Sequence, residues 1–402
     1  MGNNQARITI LFDHQIFEMQ PHGGISRIFT KLTNIWTENQ TINPLISVKI
    51  TDNEFVHSIS PNNIVPGGLS HISHPRSITN SNSHSLLNTV KWHIRSRYYT
   101  FTTEKMNEQN IQNSIDVLKT IDFDIFHPTY FDPYFLPYLK GRPFIITVYD
   151  LIHERYPELY PLDDITTLNK RILIEKATHI IAISESTKND IMSFYNTPSE
   201  KITVVHLGNE ISDSNKLSNH TDDSGIPSQF LLFVGSRHKY KNFYFFLETV
   251  SSILVKKKVQ VLCFGGGSFT DEEKIFISRL GISDQVIQIS GSDNLLVMAY
   301  KRALALIYPS LWEGFGVPVI EAFSLNCPVI AGNIPPIVEI GGNAICYIDP
   351  KDPDSIRQSV TRICENASYR FQLMQEGKRM VKQYSWEKTA MRMYEVYKST
   401  LE

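Results

Sequence analysis

The stretch Tyr308–Asn333, YPSLWEGFGVPVIEAFSLNCPVIAGN, decides the fold. An apolar run ends in the loop Glu313-Gly314-Phe315-Gly316-Val317-Pro318, a short helix opens from it, and a second apolar run follows at Pro328–Ala331. Pro318 suits the first helical position, where its missing N–H would have been unpaired in any case. Glycines ahead of a helix let backbone amides approach an anion, and the helix N-terminus favours negative charge. Glu313 stands before the loop and Glu321 about one turn into the helix, so both carboxylates are able to face one pocket. Acids repel phosphate but accept hydrogen bonds from hydroxyls. Amides for phosphate beside acids for hydroxyls suit a sugar nucleotide.

The same strand–loop–helix grammar extends in both directions. Upstream, strands are expected at Phe230–Val234, Val259–Phe264, Val286–Ile289 and Leu304–Tyr308, with helices at Asn242–Leu254, Asp271–Leu280 and Asn294–Ala303 between them. Downstream come a strand at Ala344–Ile348 and helices at Ser355–Glu365, Tyr369–Gln383 and Trp386–Leu401. The first half repeats the alternation. Ile8–Phe12 reads as a buried strand, followed by Asp13-His14, a turn at Pro21–Gly24, and a helix bearing Ile25, Ile28, Phe29, Leu32, Ile35 and Trp36 on one face. Further strands fall at Asp122–Phe126, Phe144–Val148, His179–Ile183 and Ile202–Val205, and polar side chains recur just after strand ends. Open α/β sheets bind ligands at that position.

At 402 residues the chain is long for a single core, and two domains of roughly 200 residues each are expected. The polar, turn-rich segment 209–228 divides an N-terminal Rossmann-like domain, 1–208, from a C-terminal Rossmann-like domain, 229–384. A last helix, 385–402, is expected to return toward the first domain. The fold class is therefore α/β, with two doubly wound parallel sheets facing a central cleft. Residues 52–85 are polar and aperiodic and read as a loop. Ser85–Thr102 carries Leu86, Leu87, Val90, Ile94 and Tyr98 on one helical face with Lys91, Arg95 and Arg97 elsewhere. It reads either as a core-facing helix or as a surface touching anionic lipid.

Composition excludes several classes. A hydrophobic content of 42% and a net charge of -2 describe a globular protein with no bulk affinity for nucleic acid. No apolar run is long enough to span a bilayer, and the first strand begins too soon for a cleavable leader. Cys263 and Cys327 sit in apolar runs and read as buried thiols, which fits a reducing cytoplasm. No Gly-x-Gly-x-x-Gly follows the first strand, which argues against a Rossmann oxidoreductase.

These residues resemble the retaining GT-B glycosyltransferases of the large glycogen-synthase-like and mannosyltransferase-like family, the glycosyl transferases of group 1. The strongest segments are VGSRHKYKNF (Val234–Phe243), the turn Gly265-Gly266-Gly267, and PSLWEGFGVPVIEAFSLNCPVIAGNIPPIVEIGG (Pro309–Gly342). The first half adds FDHQIFEMQPHGGISRIF, HPTYF and TVYDLIHERYPE. The resemblance implies that Glu313 lies near the donor sugar, that Glu321 binds the ribose, and that Gly314, Phe315, Gly316 and Val317 offer backbone amides. It implies that Arg237 and Lys241, beside Gly235 and Ser236, neutralise the donor diphosphate, so that no metal or other cofactor is expected. A solvated loop is the alternative for that basic pair. Gly265 and Gly266 line the donor side, and Gly23 and Gly24 match the loop by which the first domain approaches the phosphates. His153 is expected to reach the donor sugar or acceptor, or else to be structural. His127, Asp150 and Arg27 are acceptor-side candidates, Asp150 having helix-turn capping as its alternative and Arg27 solvent.

The implied activity is metal-independent transfer of a hexosyl unit, mannosyl first, from a nucleotide diphosphate sugar to a hydroxyl of a surface polysaccharide (O-antigen or capsule) or lipid-linked glycan. GDP-mannose is favoured over UDP-sugars as donor, and peripheral contact with the inner membrane is expected. A nucleotide-sugar epimerase or hydrolase of the same fold, or a non-catalytic nucleotide-sugar-binding subunit, stands as the alternative.

Overall fold

The computed structural model describes residues 7–67, 69–71, 104–161, 164–209, 225–237 and 239–402. The expected helix at Ser85–Thr102 and most of the segment 209–228 lie outside those residues.

In the first half, β1 (Ile8–Asp13) pairs in parallel with β2 (Ile42–Ser47) on one side and β5 (Ile125–His127) on the other. A parallel trio, β6 (Ile145–Val148), β7 (His179–Ala182) and β8 (Ile202–Val204), continues it through a bridge between Phe126 and Phe144. The resulting order is β2-β1-β5-β6-β7-β8. The strands are almost wholly buried apolar runs, as parallel strands covered on both faces must be. β2 was not apparent from periodicity because Asn43 and Pro44 interrupt it; it survives as an edge strand, where a proline breaks no ladder that the sheet needs.

Two helices separate β1 from β2. α1 (Gln15–Met19) lies in a stretch to which the sequence reading assigned no element, just before the expected turn at Pro21–Gly24, and α2 (Gly24–Asn39) follows. Residues 52–67 are not irregular throughout, since 3-10 turns form at Phe55–Ser58 and Pro61–Asn63. Short strands β3 (Ile50–Thr51) and β4 (Ser70–His71) pair beside them. α3, described over 104–120, packs against the end of β2 through Ser114, whose hydroxyl meets Ser47 Oγ at 2.8 Å. α4 (Ile152–Arg155), α5 (Ile165–Lys176) and α6 (Glu185–Tyr195) complete this half.

The second half contains β9 (Phe230–Val234), α7 (Phe243–Lys257), β10 (Gln260–Phe264), α8 (Asp271–Arg279), β11 (Val286–Ile289), α9 (Asp293–Arg302) and β12 (Ala305–Tyr308). After them come α10 (Val317–Ser324), β13 (Val329–Gly332), α11 (Pro335–Gly341) and β14 (Ile345–Ile348). The six strands form one parallel sheet in the order β11-β10-β9-β12-β13-β14. This is a doubly wound sheet whose winding reverses between β9 and β12, so a crevice must open beyond the C-terminal ends of those two strands.

α12 (Pro353–Glu365) and α13 (Ala367–Met380) cover one face, and α14 (Trp386–Leu401) crosses back to the first sheet. There Trp36 Nε1 donates to Ala390 O (3.1 Å) and Tyr397 OH meets His127 Nδ1 (2.7 Å). No helix among the described residues is long and apolar enough to cross a membrane.

Candidate active site

The crevice at the β9/β12 reversal holds most of the residues singled out by sequence. Beyond β9, the chain passes Gly235, Ser236 and Arg237 into a 3-10 turn, Lys239–Lys241; beyond β12 it runs through Leu311 and Trp312 to Glu313. Leu311 N–H donates to Tyr240 O at 2.8 Å and zips the two loops together. Lys241 Nζ consequently meets Glu313 Oε1 at 2.6 Å and Tyr308 OH at 3.3 Å. Both charged side chains are nearly buried, 13% and 9% exposed. Burial first, and the Glu313 carboxylate second, push the hydroxyls of Tyr308 and Tyr240 upward, so both remain protonated donors.

Arg237 is neither solvated nor free. Its guanidinium forks onto Glu273 (2.6 and 3.2 Å) and donates to the carbonyls of Gly265, Gly266, Gly267 and Ser268 at 3.1–3.4 Å. The three glycines have φ of 77, 69 and 75°, a run of left-handed residues that turns successive carbonyls toward one cation. A Cβ on Gly266 would stand 2.5 Å from Gly235 O. Glu273 is fixed by a capping box with Thr270 at the start of α8. This acid partner was not recognised in the sequence, although Thr270-x-x-Glu273 is a helix-start signature.

The Gly-bearing loop after β12 serves the contact between the two halves as well as the crevice. Ser184 Oγ and Thr187 Oγ1, at the start of α6, donate to Gly314 O at 2.7 and 3.3 Å. A side chain on Gly314 would overlap Tyr149 O at the end of β6. Arg155 lies over the Trp312 ring, 3.7 Å from its centroid. Phe315 is a core residue stacked on His206 (5.7 Å) and edge-on to Tyr384 (5.8 Å). Gly316 caps α10 with φ 118°, and a Cβ there would press on Ile337 and Ile340 at 2.7 and 2.8 Å. α10 starts at Val317, so Pro318 is its second residue rather than its first. Glu321, one turn in, is buried and accepts from Tyr300 OH at 2.8 Å.

The first half presents a mixed set. Gly23 is the N-cap of α2 and Gly24 its first residue. Arg27, a turn later, spans the cleft to Asp293 at the start of α9 (3.2 Å) and lies over Phe55, its side chain 23% exposed. Asp150 caps the turn after β6 by accepting from Ile152 N–H (3.1 Å), while its charge raises the hydroxyls of Tyr130, Tyr160 and Tyr240 behind the larger effect of burial. His153 Nδ1 pairs with Asp164 Oδ2 (2.8 Å) and stacks on Tyr160 at 3.7 Å.

His127 does not belong to the acceptor side. It is fully buried, its Nδ1 engaged by Tyr397 OH and its Nε2 by Thr147 Oγ1 (3.0 Å), and burial lowers its pKa to about 3. A histidine directly after a strand end looks functional in sequence, but β5 is a central strand and its last side chain points into the core beneath α14. Among the described residues, no three His, Cys, Asp or Glu side chains are grouped to hold a metal ion.

Two family models match the chain, "Glycosyl transferases group 1" over residues 220–380 and "Glycosyltransferase Family 4" over residues 74–212. The chain belongs to the group 1 glycosyltransferases. Its relatives include the O-antigen chain mannosyltransferase RfbU of Salmonella typhimurium, 28% identical over 57% of this chain and 62% of that protein. O-antigen chain mannosyltransferase B of Escherichia coli is 24% identical over 66% of this chain and 72% of its own length. Among solved structures, Anabaena HepE with UDP and glucose superposes with a TM-score of 0.69 at 14% identity, covering 98% and 100% of the two chains. That likeness extends over both sheets and establishes the GT-B architecture of this group 1 glycosyltransferase.

Proposed function

We propose that this glycosyltransferase moves a mannosyl unit from GDP-mannose to a hydroxyl of a growing surface polysaccharide or lipid-linked glycan, with anomeric retention and without a metal. The single observation that carries the reading is the Lys241–Glu313 contact across the β9/β12 crevice, with Glu321 one turn into α10 behind it. Glu313 accepts hydrogen bonds from the donor sugar's hydroxyls, Glu321 binds the ribose, and the start of α10 faces the diphosphate. The mannosyl preference rests on relatives named as O-antigen mannosyltransferases. UDP-sugars form the second reading, since HepE was solved with UDP.

As the sugar–phosphate bond breaks, negative charge grows on the leaving diphosphate. Lys241 stabilises it, and Arg237 is held at the neighbouring loop with its charge shared with Glu273. A fixed donor of this kind is worth roughly 2.7–4 kcal/mol in a water-excluded site. The acceptor attacks the face the phosphate leaves, and the departing phosphate oxygen takes its proton. Residues 1–208 supply the acceptor side and residues 229–384 the donor side. The enzyme works in the cytoplasm, in peripheral contact with the inner membrane where its acceptor is anchored.

A thermal-shift panel of nucleotide sugars tests the donor. GDP-mannose is expected to raise the melting temperature more than UDP-glucose or UDP-N-acetylglucosamine, and proton NMR of the transferred product to show the α-anomer. No shift with any nucleotide sugar refutes the reading.

A further inference from the structure

The first sheet has a reversal of its own. β2 lies on one side of β1 while β5 and all later strands lie on the other, so a second crevice is expected beyond the ends of β1 and β5. A cavity of about 250 Å³ opens there, walled by α1, the loop after β5 and the first turns of α5. It is smaller than the roughly 300–1,000 Å³ of sites for drug-sized ligands and matches one monosaccharide rather than a lipid chain.

Its chemistry is that of a hydroxyl binder. Glu18 and Asp132 supply carboxylates, and Asn107, Thr166 and Asn169 supply amides and a hydroxyl. The side chains of these last three make no hydrogen bond to any described residue and are available to a ligand. Tyr130 and Phe131, with ring centroids 4.8 Å apart, give one wall an aromatic surface. His14 contributes no charge, because burial lowers its pKa to about 3 and its Nδ1 is engaged by Ser114 (2.8 Å). Among the described residues no lysine or arginine lines the cavity. The contrast with the β9/β12 crevice, where Lys241 waits beside Glu313, is a contrast between a site for an anion and a site that repels one.

The charge of Asp150 reaches both Tyr130, which lines this cavity, and Tyr240, whose hydroxyl also feels Glu313, each behind the larger effect of burial.

We propose that the crevice between β1 and β5 seats an uncharged sugar residue of the acceptor and excludes residues bearing a carboxylate or phosphate. This rests on the glycosyltransferase reading above for the word acceptor, but the binding preference stands on the cavity alone. Two carboxylates facing a ligand anion at close range weaken its binding by about tenfold or more.

Saturation-transfer NMR on the full chain tests it, with methyl α-mannoside and methyl α-glucoside as neutral probes and methyl β-glucuronide and glucose 6-phosphate as anionic ones. The neutral glycosides are expected to give signals in the wild type and to lose them in Thr166→Trp, which fills the cavity from a half-buried position on α5. Asn169→Arg, at a half-buried position on α5, is expected to admit the anionic probes. Anionic probes binding the wild type as well as neutral ones, neutral signals unchanged by Thr166→Trp, or no neutral signal at millimolar concentration would each overturn the proposal. Thermal shifts with GDP-mannose and UDP-glucose on the same samples separate the two claims. Neutral glycosides bound with no donor shift would fell the transferase reading alone, and the reverse would fell the cavity alone.

Discussion

Replacing Arg237 by methionine removes a cation from a pair that is almost wholly dry, Arg237 being 4% and Glu273 6% exposed. Breaking a buried ion pair by deleting one member costs roughly 3–5 kcal/mol, because the remaining charge has lost its partner without regaining water. Here the Glu273 carboxylate keeps the Thr270 N–H (2.8 Å), which softens the loss. The carbonyls of Gly265–Ser268 lose the guanidinium as a donor as well, although Gly265 O keeps Gln288 Nε2 (3.4 Å). A net cost of about 3 kcal/mol is therefore expected, which for a unit of this size lowers the melting point by roughly 6–12 °C. Differential scanning calorimetry of Arg237→Met, Glu273→Met and the double variant measures it. Each single variant should be destabilised, and the double variant by less than the sum, since it leaves no orphaned charge. A melting point for Arg237→Met within 2 °C of the wild type, with turnover abolished, would show that Arg237 serves the ligand and not the loop.

Glu339→Ala removes a carboxylate that accepts from Glu185 N–H and Ser186 N–H (2.9 and 3.3 Å) and pairs with His206 (2.6 Å). Loss of this grip on the start of α6 should cost about 1–2 kcal/mol and enlarge the radius of gyration seen by small-angle scattering; an unchanged radius would refute its role in holding the two halves together. His14 and His127 both have folded pKa values of about 3 against 6.5 unfolded, so between those limits the unfolded chain binds the extra protons and stability falls as pH drops, while above 6.5 neither contributes. Each adds a slope of at most about 1.4 kcal/mol per pH unit, and urea titrations from pH 7 to 4 should show a shallower acid limb in His127→Gln; equal slopes would contradict the burial argument. Burial pushes the Cys263 and Cys327 thiols up to about 12, so iodoacetamide should leave both unlabelled in the native protein and label them in urea; rapid native labelling would refute their burial.

The two-sheet architecture was legible because parallel strands buried on both faces leave continuous apolar runs such as Phe230–Val234 and Phe144–Val148, each ending in a polar loop. The juxtaposition of Lys241 with Glu313 was legible only as a pairing of motifs; the distance between them depends on the β9–β12 adjacency, which is a property of strand order and not of local sequence. β2 was hidden by its proline and α1 by its shortness. His127 misled because a strand-end histidine looks the same in sequence whether its ring faces a cleft or a returning helix 270 residues later. Glu273 and Glu339 were invisible for a related reason. Each meets its partner across a loop or between the two halves, and a lone glutamate on an amphipathic helix reads as solvated.

The central claim is that the Lys241–Glu313 contact is the donor-side reaction centre. Mass-spectrometric detection of glycosyl transfer from GDP-mannose to a neutral acceptor glycan, in the wild type, Glu313→Ala and Lys241→Ala, tests it most directly. Transfer by the wild type, with a loss of about a hundredfold or more in each folded variant, is the predicted result. Turnover at the wild-type rate in either variant would contradict it.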